Sequence, residues 1–336
     1  MLRHLLRWFA FLLALALGFC VWMAWFARSP VALAAPTVEF SIREGSTLRN
    51  ATRQIVDAGI VMPAWQFNLL ARTAASATGI KAGSYRVAAG VTPWQILRKI
   101  VLGDVVQSEI LLLEGWTFRQ MRNALKTHPD LKHQSDELLE EEIMSKLGSP
   151  GVAPEGMFFP DTYVFGKGEN DMAILASAHR AMQKQLQSAW AQRATDLPLA
   201  DPYAALILAS IVEKETGRES DRTTIAAVFI NRLRLRMKLQ TDPTVIYGMG
   251  EQFDGNLRKK DLVTDTPFNT YTRIGLPPHP IAMPGLASIA AVMNPAPTDA
   301  LYFVSRGDGT SEFSRTIGEH NRAVAKYQKP GARRRK

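Results

Sequence analysis

The hydrophobic pattern opens with twenty consecutive residues that carry no charge, Trp8 to Ala27 (WFAFLLALALGFCVWMAWFA). A helix of ~20 apolar residues crosses the hydrocarbon core of a bilayer, so this stretch predicts a membrane-spanning helix. Arg3, His4 and Arg7 precede it and Arg28 follows it. The basic excess ahead of the span predicts an N-terminus in the cytoplasm, with the rest of the chain outside. The Ala-Leu-Ala-Ala stretch at Ala32 to Ala35 resembles a signal-peptide cleavage site. The apolar stretch is longer than the ~7–15 residues of a signal peptide, which favours an uncleaved anchor. Either reading exports the bulk of the chain.

Past a short Pro/Ala linker one pattern occurs three times: a short apolar strand, then Gly-x-Thr, then a helical run. The copies are FSIREGSTLRNATRQI, YRVAAGVTPWQILRKI and LLLEGWTFRQMRNAL. Thr47, Thr92 and Thr117 are placed as helix N-caps, and Pro93 suits a first helical position. The pairs Ala51/Ile55, Ile96/Ile100 and Met121/Leu125 each share one helix face. Capping preferences alone would also produce three such turns. Downstream, the acidic run Asp136 to Leu147 predicts a solvated linker helix. Asn170 or Asp171 caps an amphipathic run to about Ala194, and further helices start near Pro202, Ser220 and Asp242. Asp265 to Gly285 is rich in Pro and Gly and predicts an ordered surface loop. Leu301 to Ser305 predicts a strand, and Ile317 to Tyr327 a last helix. The fold class is α+β.

Composition narrows the chemistry. With 336 residues, 46% apolar and 21% charged, the chain is a globular protein of about two domains rather than a disordered one. One cysteine, Cys20, lies inside the span, so neither an intramolecular disulfide nor a Cys-built zinc site is available. Four of the nine net positive charges sit in the last four residues, Arg333 to Lys336. That tail reads as a solvated end rather than a nucleic-acid or anion-binding element. No Gly-x-Ser-x-Gly, Walker loop or HExxH occurs, and no cofactor is implied.

The unusual feature is a carboxylate at the end of an apolar helix. Leu208, Ile211, Val212 and Glu215 fall on one face, while Glu213 lies roughly 160° away over Leu206 and Ala209. The first surround is the more apolar, which makes Glu215 the buried carboxyl. Burial raises a carboxyl pKa and suits a general acid, such as one that protonates a glycosidic oxygen.

Several long motifs stand in order along the chain: KAGSYRV, EGMFFPDTY, ASIVEKET, FINRLRLRMKLQTDPTVIYGMG, FNTYTRIGLPPHPIAMPG and FSRTIGEHN. Together they resemble the endolytic murein transglycosylases (MltG, or YceG-like proteins), and the resemblance covers essentially the whole chain. It implies a cytoplasmic N-terminus, anchor and linker over residues 1–35 and a LysM-like module over 36–125. A catalytic domain with lysozyme-like active-site logic follows over 126–329, and a basic tail over 330–336. It further implies an inner-membrane, single-pass protein facing the periplasm. Such a protein cuts the β-1,4 bond between N-acetylmuramic acid and N-acetylglucosamine and leaves 1,6-anhydro ends, as a terminase of glycan polymerisation. Glycan strands are the implied substrate, peptidoglycan synthases the implied partners, and no metal or organic cofactor is needed. The family's catalytic glutamate falls on Glu215, acting first as acid and then as base. Gln240, Asp242, Tyr247, Asn269 and Tyr271 are the implied substrate contacts. The alternative is a membrane-anchored peptidoglycan-binding scaffold without catalysis. The chain departs from the family pattern at His279 (usually Gly), Met283 (usually Asn) and Ser311 (commonly His). His279 reads as a surface loop residue and His320 as structural.

Overall fold

A computed structural model describes residues 2–74, 79–216 and 218–328. The basic tail from residue 330 lies outside the described residues. In chain order the elements begin with α1 (Leu2–Arg28), β1 (Ala32–Leu33), β2 (Thr37–Ile42), α2 (Leu48–Asp57), β3 (Ile60–Val61), α3 (Ala64–Thr73), β4 (Gly83–Ala88), α4 (Pro93–Leu102) and β5 (Gln107–Leu111). Then come α5 (Phe118–Thr127), β6 (Leu131–Lys132), α6 (Glu140–Lys146), β7 (Thr162–Gly166), β8 (Glu169–Asn170), α7 (Asp171–Ala191), α8 (Pro202–Glu215) and α9 (Glu219–Arg234). The chain ends with α10 (Asp242–Met249), α11 (Lys259–Val263), α12 (Leu286–Met293), β9 (Tyr302–Ser305), β10 (Ser311–Ser314) and α13 (Ile317–Tyr327). Helices and strands are mixed, with one N-terminal apolar helix long enough to cross a membrane among the described residues.

The chain divides into two compact units. One holds the residues up to Glu109 with Asp130–Lys132 and Val164–Glu169. The other holds Ile110–Pro129, His133–Tyr163 and the chain from Asn170 on. The third strand–helix copy, with α5, is therefore grouped mainly with the second unit, whereas the sequence-based domain boundary stands at residue 125.

In the first unit β2 and β4 pair antiparallel, from Thr37 opposite Ala88 to Ile42 opposite Gly83. Val38, Phe40 and Ile42 point inward, and Phe40 stacks on Tyr85 at 5.4 Å. On the outer face Glu39 meets Arg86 at 2.6 Å. Both ends of the two strand-to-helix turns here behave as their residues dictate. Gly45 and Gly90 take φ of 73° and 88°, which favours glycine. Thr47 and Thr92 accept from the backbone N–H groups of Asn50 and Gln95. Thr117 does the same for Gln120 in the second unit. The inward pairs Ala51/Ile55, Ile96/Ile100 and Met121/Leu125 are all buried.

The second unit is built around α8. Every residue from Ala205 to Val212 is buried, and α7, α9, α10 and α12 pack on it. A helix apolar on all sides needs such a full surround. Asp201 caps it through the N–H of Ala204, with Pro202 at the first position. Ser210 inside this helix accepts from the N–H of Ile281 at 3.0 Å, which ties the Pro/Gly-rich loop to α8. Strand β10 pairs antiparallel with β9, from Ser311 opposite Ser305 to Ser314 opposite Tyr302. The sequence reading did not include β10. The acidic run Asp136 to Leu147 is not a solvated linker helix. It begins in a 3-10 turn, Gln134–Glu137, and α6 buries Ile143 and Met144. That adjacent apolar pair seats the helix while its first-turn glutamates face outward.

Candidate active site

Glu215 is the last residue of α8, so a helix packed on all sides from Ala205 to Val212 positions its backbone. The segment Leu239–Thr241 comes alongside, held by Thr270. The Gln240 N–H donates to the Thr270 carbonyl at 3.2 Å, and the Thr241 N–H to Thr270 Oγ1 at 3.1 Å. Gln240 takes φ of 50°, an uncommon conformation for a side chain with a Cβ. Thr244 Oγ1 lies 2.9 Å from Thr270 Oγ1 and donates to the Thr241 carbonyl at 2.8 Å. Two buried threonines, Thr244 and Thr270, thus hold the backbone of Thr241, whose hydroxyl donates to Glu215 Oε1.

The electrostatics of Glu215 follow from this setting. Burial pushes its pKa up, the Thr241 hydroxyl opposes that, the Asp242 carboxylate adds to it and the Arg232 guanidinium opposes it. The net direction is upward, which favours the protonated acid. Arg232 is itself buried. It donates to the carbonyls of Leu301 at 2.7 Å and Leu239 at 2.8 Å, and so joins the residue just ahead of β9 to the segment that carries Thr241.

Glu215 lines a cleft of about 1030 Å³ together with Gln240, Asp242, Tyr271, Tyr302, Ser311 and His320. The Tyr271 hydroxyl donates to Asp242 Oδ1 at 2.5 Å. Asp242 is the first residue of α10, where Thr241 is the N-cap residue. His320 stacks on Tyr302 at 5.3 Å. Its Nδ1 is buried with no hydrogen-bond partner, and burial next to Arg232 pushes its pKa down, toward a neutral ring.

Of the residues expected to contact substrate, Gln240, Asp242 and Tyr271 share the cleft with Glu215. Tyr247 and Asn269 are placed elsewhere. Asn269 is buried, and its amide nitrogen donates to the carbonyls of Asp261, Leu262 and Thr264, while its Oδ1 accepts from the N–H of Tyr271. All its polar atoms serve the loop that carries Tyr271. Tyr247 lines a second cavity of about 820 Å³ and donates to Glu155 Oε2 at 3.1 Å. Glu155 also accepts from the N–H of Phe118 at 3.0 Å, at the first position of α5. His279 belongs to this second cavity, packed edge-on against Phe268 at 4.7 Å and Tyr247 at 5.7 Å, rather than on the open surface.

Sequence reasoning missed Thr241, Arg232 and Tyr302, and took His320 as purely structural. Thr241 sits next to the singled-out Asp242, but only tertiary pairing turns its hydroxyl to Glu215. The other Glu of the helix end, Glu213, accepts from the N–H of Gly285 at 3.0 Å, and Lys214 donates to the Gly115 carbonyl at 3.2 Å. Glu213 and Glu215 therefore have different environments, as the helix-face argument expected. Among the described residues no three or more His, Cys, Asp or Glu side chains converge to hold a metal.

The chain is 33% identical over 270 residues to the endolytic murein transglycosylase of Bacillus subtilis, covering 75% of this chain and 74% of that one. It is 26% identical over 324 residues to the protein of the same name from Streptococcus pneumoniae, covering 86% of this chain and 58% of that one. The crystal structure of a yceG-like protein from Listeria monocytogenes superimposes with a TM-score of 0.54 at 28% identity, over 85% of this chain and 98% of that one. The sequence profile of the YceG-like family matches residues 40–326. With that span and that identity to its relatives, the chain belongs to the YceG-like family.

Proposed function

We propose that this protein is a membrane-anchored endolytic murein transglycosylase whose acid and base are both Glu215. One observation carries the reading: a carboxyl at the end of a helix buried from Ala205 to Val212, pushed toward its protonated form by burial and held by a single hydroxyl donor, at the edge of a large cleft. In the first step the protonated Glu215 gives its proton to the glycosidic oxygen as the bond from C1 of N-acetylmuramic acid breaks. The C6 hydroxyl of the same sugar then bonds to C1, and its proton passes to the Glu215 carboxylate. The acid is regenerated, no water is consumed and a 1,6-anhydro end results. A carboxyl that alternates between these states needs a pKa near the working pH. Thr241 favours the charged state that follows the first step, and burial favours the neutral state before it.

Gln240 and Tyr271 supply the amide and ring that a sugar-binding cleft needs for hydrogen bonds and flat contact. The first unit serves as a LysM-like module for glycan, and α1 as a single-pass inner-membrane anchor with the N-terminus in the cytoplasm. In this role the enzyme ends nascent glycan strands beside the synthases that extend them.

The test uses the full chain in detergent, because Met23, Phe26 and Ala27 of α1 belong to the core of the first unit. Uncrosslinked and crosslinked glycan strands are incubated with the protein, and the products are read by mass spectrometry. Internal fragments with 1,6-anhydro ends, absent with a folded Glu215→Gln variant, are the expected result. Reducing ends would mean hydrolysis, with Asp242 the first candidate to activate water. Binding without cleavage would leave a scaffold.

A further inference from the structure

The anchor helix has too little free length to cross a bilayer alone. Its uncharged stretch runs from Trp8 to Ala27. The last turns of that stretch are not free. Trp22 stacks on Trp65 of α3, with ring centroids 5.6 Å apart and planes 23° from parallel. Met23, Phe26 and Ala27 are buried in the core of the first unit, where α3 and α4 pack against α1. The fourteen residues Trp8 to Val21 remain clear of it and reach about 21 Å at 1.5 Å per residue. The hydrocarbon core is about 30 Å thick. Residues 22–27 have to supply the missing ~9 Å, and they carry α3 and α4 with them.

The outward residues of α3 and α4 suit that depth. Trp65 is 61% exposed and Trp94 46% exposed. Exposed tryptophan is costly in water and favoured at the headgroup level of a membrane. Neither AWQFNLLART nor PWQILRKIVL contains an acidic residue, while Arg72 and Arg98 are both exposed on these helices. Long basic side chains can rest along apolar surface and reach lipid phosphates. Val61 on β3, three residues before α3, is 65% exposed.

We propose that α3 and α4 form a membrane-surface site that sits in the headgroup layer of anionic phospholipid, Trp65 and Trp94 inserted and Arg72 and Arg98 on the phosphates. The site rests on the reading of α1 as a membrane anchor. Its consequence is that the first unit is held against the lipid rather than tethered above it.

The experiment uses the full chain in vesicles of phosphatidylethanolamine and phosphatidylglycerol, with a fluorescent thiol label at one position at a time. Native Cys20, exposed within the span, reports the anchor. In a Cys20→Ser background, Ala64→Cys and Gln95→Cys report the two helices, and Arg53→Cys on α2 reports water. All three positions are exposed, so the labels leave the core intact. Thermal melts check each variant. The expected result is quenching at 20 by brominated acyl chains, quenching at 64 and 95 by headgroup nitroxide with loss of iodide quenching, and iodide quenching alone at 53. If 20 lies in lipid while 64 and 95 answer to iodide as 53 does, the bilayer thins around a short anchor and the proposal is overturned. If 20 itself answers to iodide, α1 does not span, and the anchoring reading fails with the proposal.

Discussion

The hydroxyl of Thr241 donates to Oε1 of Glu215 and works against the burial that surrounds that carboxyl. The contact stabilises the carboxylate, which exists only after the proton has left. Thr241→Val removes the donor at similar volume. A hydrogen bond to a charged group contributes about 1.5–3 kcal/mol, so kcat should fall about 10- to 100-fold. With the ionised form less favoured, the pKa of Glu215 rises further. The alkaline limb of the pH–rate profile, where the acid is lost, should then move to higher pH. A fall in rate with an unmoved limb would sink the assignment of Glu215 as the titrating acid.

Asp242 acts on the same carboxyl with the opposite sign. Its negative charge pushes the Glu215 pKa up. Asp242→Asn removes that charge and keeps an oxygen for the Tyr271 hydroxyl. The alkaline limb should move to lower pH, against the direction of Thr241→Val. Full pH profiles of both variants measured together give the comparison, and limbs that shift the same way would contradict it.

The sequence carried the periodic and capped parts of this molecule well. Asp201 and Pro202 mark the start of α8, Asn170 caps α7, and Thr47, Thr92 and Thr117 open their helices, because capping is a local hydrogen bond between neighbours in sequence. Glu215 was legible because its own helix supplies much of its apolar surround. Asn269 and Tyr247 were grouped with Glu215 because an amide and a ring in a shared motif look like sugar contacts. Which cavity a side chain enters is set by partners far along the chain. For Tyr247 the partner is Glu155, ninety-two residues away. Thr241 went unread for the same reason: its place beside the carboxyl comes from Thr270 and Glu215, which only the tertiary fold assembles.

Gly156, beside Glu155, has φ of 79°, and a Cβ there would meet the ring of Pro280, with Cγ at 2.6 Å. Two costs combine in Gly156→Ala. The left-handed conformation costs about 1–2 kcal/mol for a residue with a Cβ, and overpacking adds about 1–3 kcal/mol. Gly275→Ala, with φ of 89° and nothing within 4 Å, carries the first cost alone. Denaturant midpoints should therefore rank Gly156→Ala well below Gly275→Ala, with wild type highest. Equal losses would mean that the loop of Pro280 yields freely.

Glu155 gives the fold a pH dependence separate from catalysis. Burial pushes its carboxyl up to about 7, against the opposing hydrogen bonds from the Phe118 N–H and the Tyr247 hydroxyl. A folded-state pKa above the unfolded value means that the native state holds the proton more tightly. The stabilisation is complete below the unfolded pKa of ~4.3 and is lost as pH rises through about 7. Each unit of difference corresponds to about 1.4 kcal/mol, so stability should fall by about 3 kcal/mol across that window from this group. Glu155→Gln keeps an oxygen for the Phe118 N–H and cannot ionise. Unfolding measured from pH 4 to 8 should show a clearly shallower decline in the variant. Part of the slope should persist, because Glu215 and Glu114 are also pushed up by burial. A variant as steep as wild type would mean that Glu155 is already ionised in the folded protein at low pH. Its carboxylate would then be a charged cap on the N-terminus of α5 rather than a protonated one, and stability would rise rather than fall as that group titrates.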